Sequence, residues 1–113
     1  HEKSTYASKI NKDESRLNWN TDSKILEQKI RAFYPYPATW FSHKGKRYKV
    51  LKAKVSFFEG ESGKILQSPL IIGCKQNSLE ILEIQAEGKK PQSIDQFLLG
   101  NNNFEINSII TND

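Results

Sequence analysis

The sequence has a single cysteine, no methionine and only two histidines, His1 and His43. One thiol, Cys74, cannot close an internal disulfide, which favours a reducing compartment. These three residues share no ligand spacing, so no metal site is expected. Long apolar runs are also missing. No stretch approaches the ~20 residues needed to cross a bilayer, and the longest candidates break at Gly73 and Gly100. Residues 1–16 are dominated by polar and charged groups and do not read as a secretory signal. The charged start at His1 is read as the edge of a piece of a longer protein, for which a cytoplasmic location and no membrane contact are expected.

Acidic residues are absent from 28–58, where Lys29, Arg31, Lys44, Lys46, Arg47, Lys49, Lys52 and Lys54 all fall. After Lys90 the pattern inverts, with Asp95, Glu105 and Asp113 and no basic residue. The net charge of +4 therefore understates a basic middle and an acidic end. That distribution suits a polyanion on one face, although a Lys-rich strand pair facing solvent produces the same composition. The 113 residues fit one domain, and six Phe, four Tyr and two Trp suffice for one modest core.

What is present divides into a helix and then a sheet. Residues 1–16 read as an extended polar lead-in. Leu26, Ile30 and Phe33 recur at helical spacing, with Ile25 widening the stripe. Asn20 or Thr21 supplies a cap, Asp22 a favourable charge, and Pro35 and Pro37 a stop, giving a helix over 21–34. Residues 38–43 and 46–58 read as strands around a Lys44-Gly45 turn. In the second strand Tyr48 and Val50 share one parity, while Leu51, Ala53, Val55 and Phe57 share the other, which predicts a bulge near Val50-Leu51 and Lys49, Lys52 and Lys54 outward. Short strands follow at 64–67 and 70–74, then one at 79–85 whose inward parity also switches. Two such switches suggest a sheet that coils and closes, a mainly β fold of the OB-like Greek-key barrel kind with one N-terminal amphipathic helix and a short C-terminal helix. Ser93 starts that last helix and Gly100 ends it. The Asn-rich 101–113 is expected to be mobile.

Several segments in order resemble one family. They are Thr5-Tyr6-Ala7-Ser8-Lys9-Ile10, Arg16-Leu17-Asn18-Trp19, Ile30-Arg31-Ala32-Phe33-Tyr34-Pro35-Tyr36-Pro37, Lys49-Val50-Leu51-Lys52-Ala53, Gly63-Lys64-Ile65-Leu66, and Ile84-Gln85-Ala86-Glu87-Gly88-Lys89-Lys90 followed by Ser93. Together they are similar to the C-terminal domain of bacterial and organellar methionyl-tRNA formyltransferases over residues 5–100. The resemblance implies a catalytic N-terminal domain, absent here, whose Asn, His and Asp move a formyl group from 10-formyltetrahydrofolate to methionine on initiator tRNA. That domain's His-x-Ser-Leu-Leu-Pro motif has no counterpart, so no catalytic residue and no cofactor site are expected in this chain. The implied division is an interdomain linker tail at 1–15 and an OB-like tRNA-binding domain at 16–113, in a monomeric enzyme whose partners are initiator methionyl-tRNA and the N-terminal domain. Tyr34 and Tyr36 stand where the family commonly has Asn and Trp, and Glu59 and Glu61 make the 58–62 loop unsuited to phosphate.

The residues expected at RNA are Lys9 and Arg16 in the lead-in, Arg31 on the helix, Lys44, Lys46, Arg47, Lys49, Lys52 and Lys54 along the hairpin, and Lys89 and Lys90 after Gly88. Phosphates attract such groups without reading bases, and structured RNA is recognised largely through its backbone. Strand alternation makes some of them bystanders, and the stems of Lys89 and Lys90 equally suit covering the barrel mouth. Tyr34 and Tyr36 are read as sealing the helix against the sheet, although exposed tyrosines also stack on bases. Trp19, Trp40, Phe41, Phe57 and Phe97 are read as packing residues, and Cys74 as a small buried one. Two alternatives stay open: the equivalent domain of a related folate-dependent formyltransferase or hydrolase, and a free-standing OB-type module for single-stranded nucleic acid. The second needs aromatic platforms on an exposed face, and the strand aromatics mostly have inward parity.

Overall fold

Asp22, not Asn20 or Thr21, starts the first helix: its carboxylate accepts a hydrogen bond from the Lys24 amide at 2.9 Å, so α1 spans Ser23–Phe33. The computed structural model describes residues 15–101 and 103–110. Leu26 and Ile30, one turn apart, are buried, whereas Ile25 is 55% exposed and does not widen the stripe. Phe33 is half-buried, with the Lys29 ammonium 5.8 Å from its ring centre. Arg31 bonds Glu27 one turn back at 2.7 Å, and that hydrogen bond raises its pKa.

The sheet follows as β1 (Thr39–His43), β2 (Lys46–Ser56), β3 (Ile65–Gln67), β4 (Ile71–Gly73), β5 (Ser78–Ala86) and β6 (Gln92–Ser93), then helix α2 (Ile94–Leu99). All strand pairs are antiparallel. Lys44 and Gly45 both have positive φ, 53° and 80°, the conformation a tight two-residue hairpin needs between β1 and β2. The order is β1-β2-β5-β4-β3, with β6 beside β5. Residues 57–64 carry the chain from β2 to the far edge, and β3-β4-β5 return as neighbours, which is a Greek key compatible with a small barrel. At the crossing, Gly73 passes so close to the Glu61 carbonyl that a Cβ there would collide with it.

The expected bulge is present. The β2–β5 register shifts between Val50 and Ala53, so Tyr48, Val50, Leu51 and Ala53 are all buried while Lys49, Lys52 and Lys54 stay outside. β5 also changes parity, with Leu79, Ile81 and Ile84 each fully buried. Ser93 and Gly100 cap α2 as expected, and Ile94 and Phe97 turn inward.

Trp19, Phe41, Tyr48, Phe97 and Phe104 form one aromatic cluster in the core. Phe104 corrects the expectation of a mobile end. It is 7% exposed and sits 4.9 Å from His43, 5.3 Å from Tyr48 and 5.6 Å from Phe97, centre to centre. Ile65 and Gly63 exchange backbone bonds with Asn107, Ser108 and Ile110, and the His43 ring nitrogen bonds the Asn103 carbonyl at 2.9 Å. Residues 103–110 are thus docked by two apolar side chains, Phe104 and Ile110, while residues 102 and 111–113 of the expected mobile stretch lie outside the described residues. Phe57 departs the other way: β2 ends at Ser56, so its alternation stops and the ring is 79% exposed. Tyr34 and Tyr36 do not seal the helix either, being 53% and 84% exposed.

Candidate nucleic-acid interface

The inward commitment of Tyr48 and Val50 fixes what faces out at the start of β2. Arg47 and Lys49 flank Tyr48 and are both exposed, and Lys49 lies directly across from Trp40 on β1. The same alternation that buries Phe41 turns Trp40 outward, where it is half-buried. The Arg47 guanidinium lies 4.3 Å from the Trp40 ring centre, within cation–π range. Arg16 reaches the same ring at 5.1 Å, because it makes a parallel bridge to Trp40 and the Leu17 amide bonds the Trp40 carbonyl at 2.8 Å, while residues 1–14 of the lead-in lie outside the described residues. Two arginines are therefore positioned by one indole.

The 86–90 loop completes this end of the sheet. The Glu87 amide bonds the Arg47 carbonyl at 3.3 Å, Gly88 turns with φ of 78°, and the Lys89 amide bonds the Ala86 carbonyl at 3.0 Å. The Gln85 side-chain amide donates to the Lys89 carbonyl at 2.8 Å, which holds the loop against its own strand. Two adjoining clefts result. The larger, about 900 Å³, has Lys46, Arg47, Lys89 and Lys90 on its walls together with Glu87. The smaller, about 360 Å³, is lined by Tyr36, Trp40, Arg47, Lys49, Gln85 and Glu87 among others. Arg47 lines both.

The expected RNA residues thus separate. Lys46, Arg47, Lys49, Lys89 and Lys90 gather at one end, with Arg16 joined to them through Trp40 and Lys44 exposed in the adjacent turn. Lys52 lies below the bulge opposite Glu83, and Lys54 lies 3.7 Å from the Glu80 carboxylate. Arg31 is engaged by Glu27 on its own helix. Lys9 lies outside the described residues. Trp40 and Tyr36 are members of this end that composition did not single out. The signal for Trp40 was available: it alternates with the core residue Phe41, which puts it on the outer face.

This arrangement is suited to holding an anion. Cationic groups from three separated stretches converge, and Glu87 is the acidic group among the residues lining both clefts. No group of three His, Cys, Asp or Glu able to hold a metal occurs among the described residues. Cys74 is buried as expected. Desolvation, then the nearby Asp22 charge, pushes its thiol up to about 12, so the nucleophilic thiolate is not formed. Among the described residues no helix is long and apolar enough to cross a membrane.

Residues 9–102 match the family described as formyl transferase, C-terminal domain. A methionyl-tRNA formyltransferase of Pelagibacter ubique is 45% identical over 97 residues, covering 85% of this chain and 31% of that protein. One from Neisseria meningitidis serogroup C is 39% identical over 99 residues, with 85% of this chain and 32% of that protein covered. The chain thus spans about a third of the length of the curated relatives it matches. Among solved structures, HypX from Aquifex aeolicus in complex with tetrahydrofolic acid superimposes with a TM-score of 0.69 over 80% of this chain and 17% of that one. At 18% identity that likeness shows the fold alone.

Proposed function

The chain belongs to the formyl transferase C-terminal domain family, and we propose that it is the RNA-holding domain of a methionyl-tRNA formyltransferase. In this reading a companion catalytic domain, in the same monomeric cytoplasmic protein, carries the 10-formyltetrahydrofolate site and moves the formyl group to the amino group of methionine on initiator tRNA. This domain supplies positive potential at one end of its sheet and so keeps the tRNA in place during that transfer.

The observation that carries the proposal is the convergence of the β1–β2 hairpin and the 86–90 loop. Lys46, Arg47, Lys89 and Lys90 meet around one open cleft, and Arg16 and Lys49 extend the charge around Trp40. Each phosphate such groups neutralise releases counterions, so binding is strong at low salt and indifferent to sequence. Arg47 and Arg16 give the patch more than point charges. An arginine leaning on an indole keeps its planar donors in a fixed direction, which suits paired bonds to a phosphate. Lys52 and Lys54 contribute less, because Glu83 and Glu80 stand across from them.

The test is steady-state formylation of methionyl initiator tRNA by the enzyme carrying this domain. Arg47→Gln with Lys49→Gln should raise KM for the tRNA while leaving kcat within about twofold, the pattern of lost uniform binding. The same change should leave KM for the formyl donor alone. An unchanged tRNA KM in a folded variant, or formyl transfer by the 113-residue chain unaided, contradicts the proposal.

A further inference from the structure

Tyr36 is unexplained by a surface that holds only phosphates. At 84% exposed it is among the most exposed large apolar side chains of the described residues, yet it stands at the wall of a cleft and not on an open convexity. Pro35 and Pro37 fix φ on both sides of it, and the bond from the Ala38 amide to the Phe33 carbonyl, 2.9 Å, closes the segment. An aromatic ring is thus presented on a stiff backbone, so that ordering on binding is confined to the side chain's own rotation.

Across the cleft the groups are of two chemical kinds. Arg47 and Lys49 are donors suited to a phosphate, and Arg47 is already oriented by Trp40. Gln85 spends its amide nitrogen on the Lys89 carbonyl and keeps its oxygen as an acceptor, and Glu87 offers a carboxylate. Acceptors of that kind suit the amino and imino hydrogens on the edge of a base. The volume, about 360 Å³, falls in the range of small-ligand sites, roughly 300–1,000 Å³. Among the described residues, the neighbouring larger cleft has the cations but no exposed aromatic in its lining; the ring there, Tyr48, is buried.

We propose that the cleft between Tyr36 and Lys49 takes one unpaired ribonucleotide, its base stacked on Tyr36 and its phosphate held by Arg47 and Lys49. The inference rests on the RNA-holding role proposed for this end and adds that the domain distinguishes single-stranded from paired RNA there. A base within a duplex keeps both faces stacked and cannot meet Tyr36, whereas an unstacked base has a free face for an aromatic side chain.

The test uses the 113-residue chain, which has its own core, and two RNAs: a blunt hairpin, and the same hairpin with a short unpaired 3′ extension. Binding is followed by fluorescence anisotropy at several salt concentrations. The extension should tighten binding by about fivefold or more, the gain one stacked base supplies. Tyr36→Ala should abolish that gain while leaving blunt-hairpin affinity and its salt slope unchanged, and Tyr36→Phe should keep it. The site is overturned if the extension gives no gain, or if the gain survives in Tyr36→Ala, and in either case the phosphate-binding role stands. Loss of all salt-dependent binding to the blunt hairpin overturns both.

Discussion

Phe104→Ala separates a docked C-terminal segment from a mobile one. The ring is 7% exposed and meets His43, Tyr48, Phe97 and Phe41 at 4.9, 5.3, 5.6 and 6.3 Å between centres. Truncating a Phe so enclosed costs about 3–5 kcal/mol, as lost transfer energy plus the cavity left behind. Domains of this size are stable by about 5–15 kcal/mol, so the loss is a large share of the total. In urea, with a slope of about 1.5–2 kcal/mol per molar, the unfolding midpoint should drop by about 2 M. The assay is urea titration followed by far-UV circular dichroism, with a matching slope in variant and parent. Phe57→Ala is the control: that ring is 79% exposed, and its loss should stay within about 0.5 kcal/mol. A Phe104→Ala loss below ~1 kcal/mol would refute the reasoning, because the segment would then not belong to the core.

Stability should also depend on Cys74 at alkaline pH. Its folded pKa of about 12 exceeds the ordinary 9.0, so the unfolded chain releases this proton first and folding weakens as pH rises through that window, by at most about 1.4 kcal/mol per unit. Cys74→Ala should flatten the stability–pH curve there, and an unaltered slope would contradict the burial of the thiol. Asp22→Ala should cost about 0.5–2 kcal/mol by urea titration through loss of the bond to the Lys24 amide, while Asp22→Asn should keep most of it; equal losses in both would mean the cap is not the cause. Glu87→Gln removes a carboxylate from among Lys46, Arg47, Lys89 and Lys90 and should tighten binding of a blunt RNA hairpin, which has no unpaired base to meet Glu87, by up to about fivefold, the scale of an exposed charge contact. Weaker binding of the blunt hairpin by that variant would mean that Glu87 does not oppose the phosphate-binding cations.

The barrel was legible because its signals are local and redundant. Opposed parities of Tyr48-Val50 and Leu51-Ala53 in one strand demand an inserted residue, and the register shift lies there. Lys44-Gly45 between two strands permits few turn types, and Ser93 with Gly100 brackets α2. The tail was not legible, because Phe104 and Ile110 are isolated apolar residues whose partners His43, Tyr48 and Gly63 are more than 45 positions away. Phe57 looked like a core residue by alternation, yet alternation has meaning only while the strand lasts. The candidate site was half legible. Charge density picked out the lysines, but only pairing shows that Glu83 and Glu80 face Lys52 and Lys54 while Trp40 gathers Arg16 and Arg47.

The central claim, that the hairpin end and not the whole lysine stripe holds RNA, is tested most directly by the salt dependence of initiator tRNA binding. One variant carries Lys46→Gln, Arg47→Gln and Lys49→Gln; the other carries Lys52→Gln and Lys54→Gln. Each true phosphate contact contributes roughly 0.7–0.9 to the slope of log K against log salt. The first variant should therefore lose about two units of slope, equally for initiator and elongator tRNA, and the second should lose almost none. A full slope in the first variant with a flattened one in the second, both folded by circular dichroism, would contradict the account and move the RNA to the lower half of the strand.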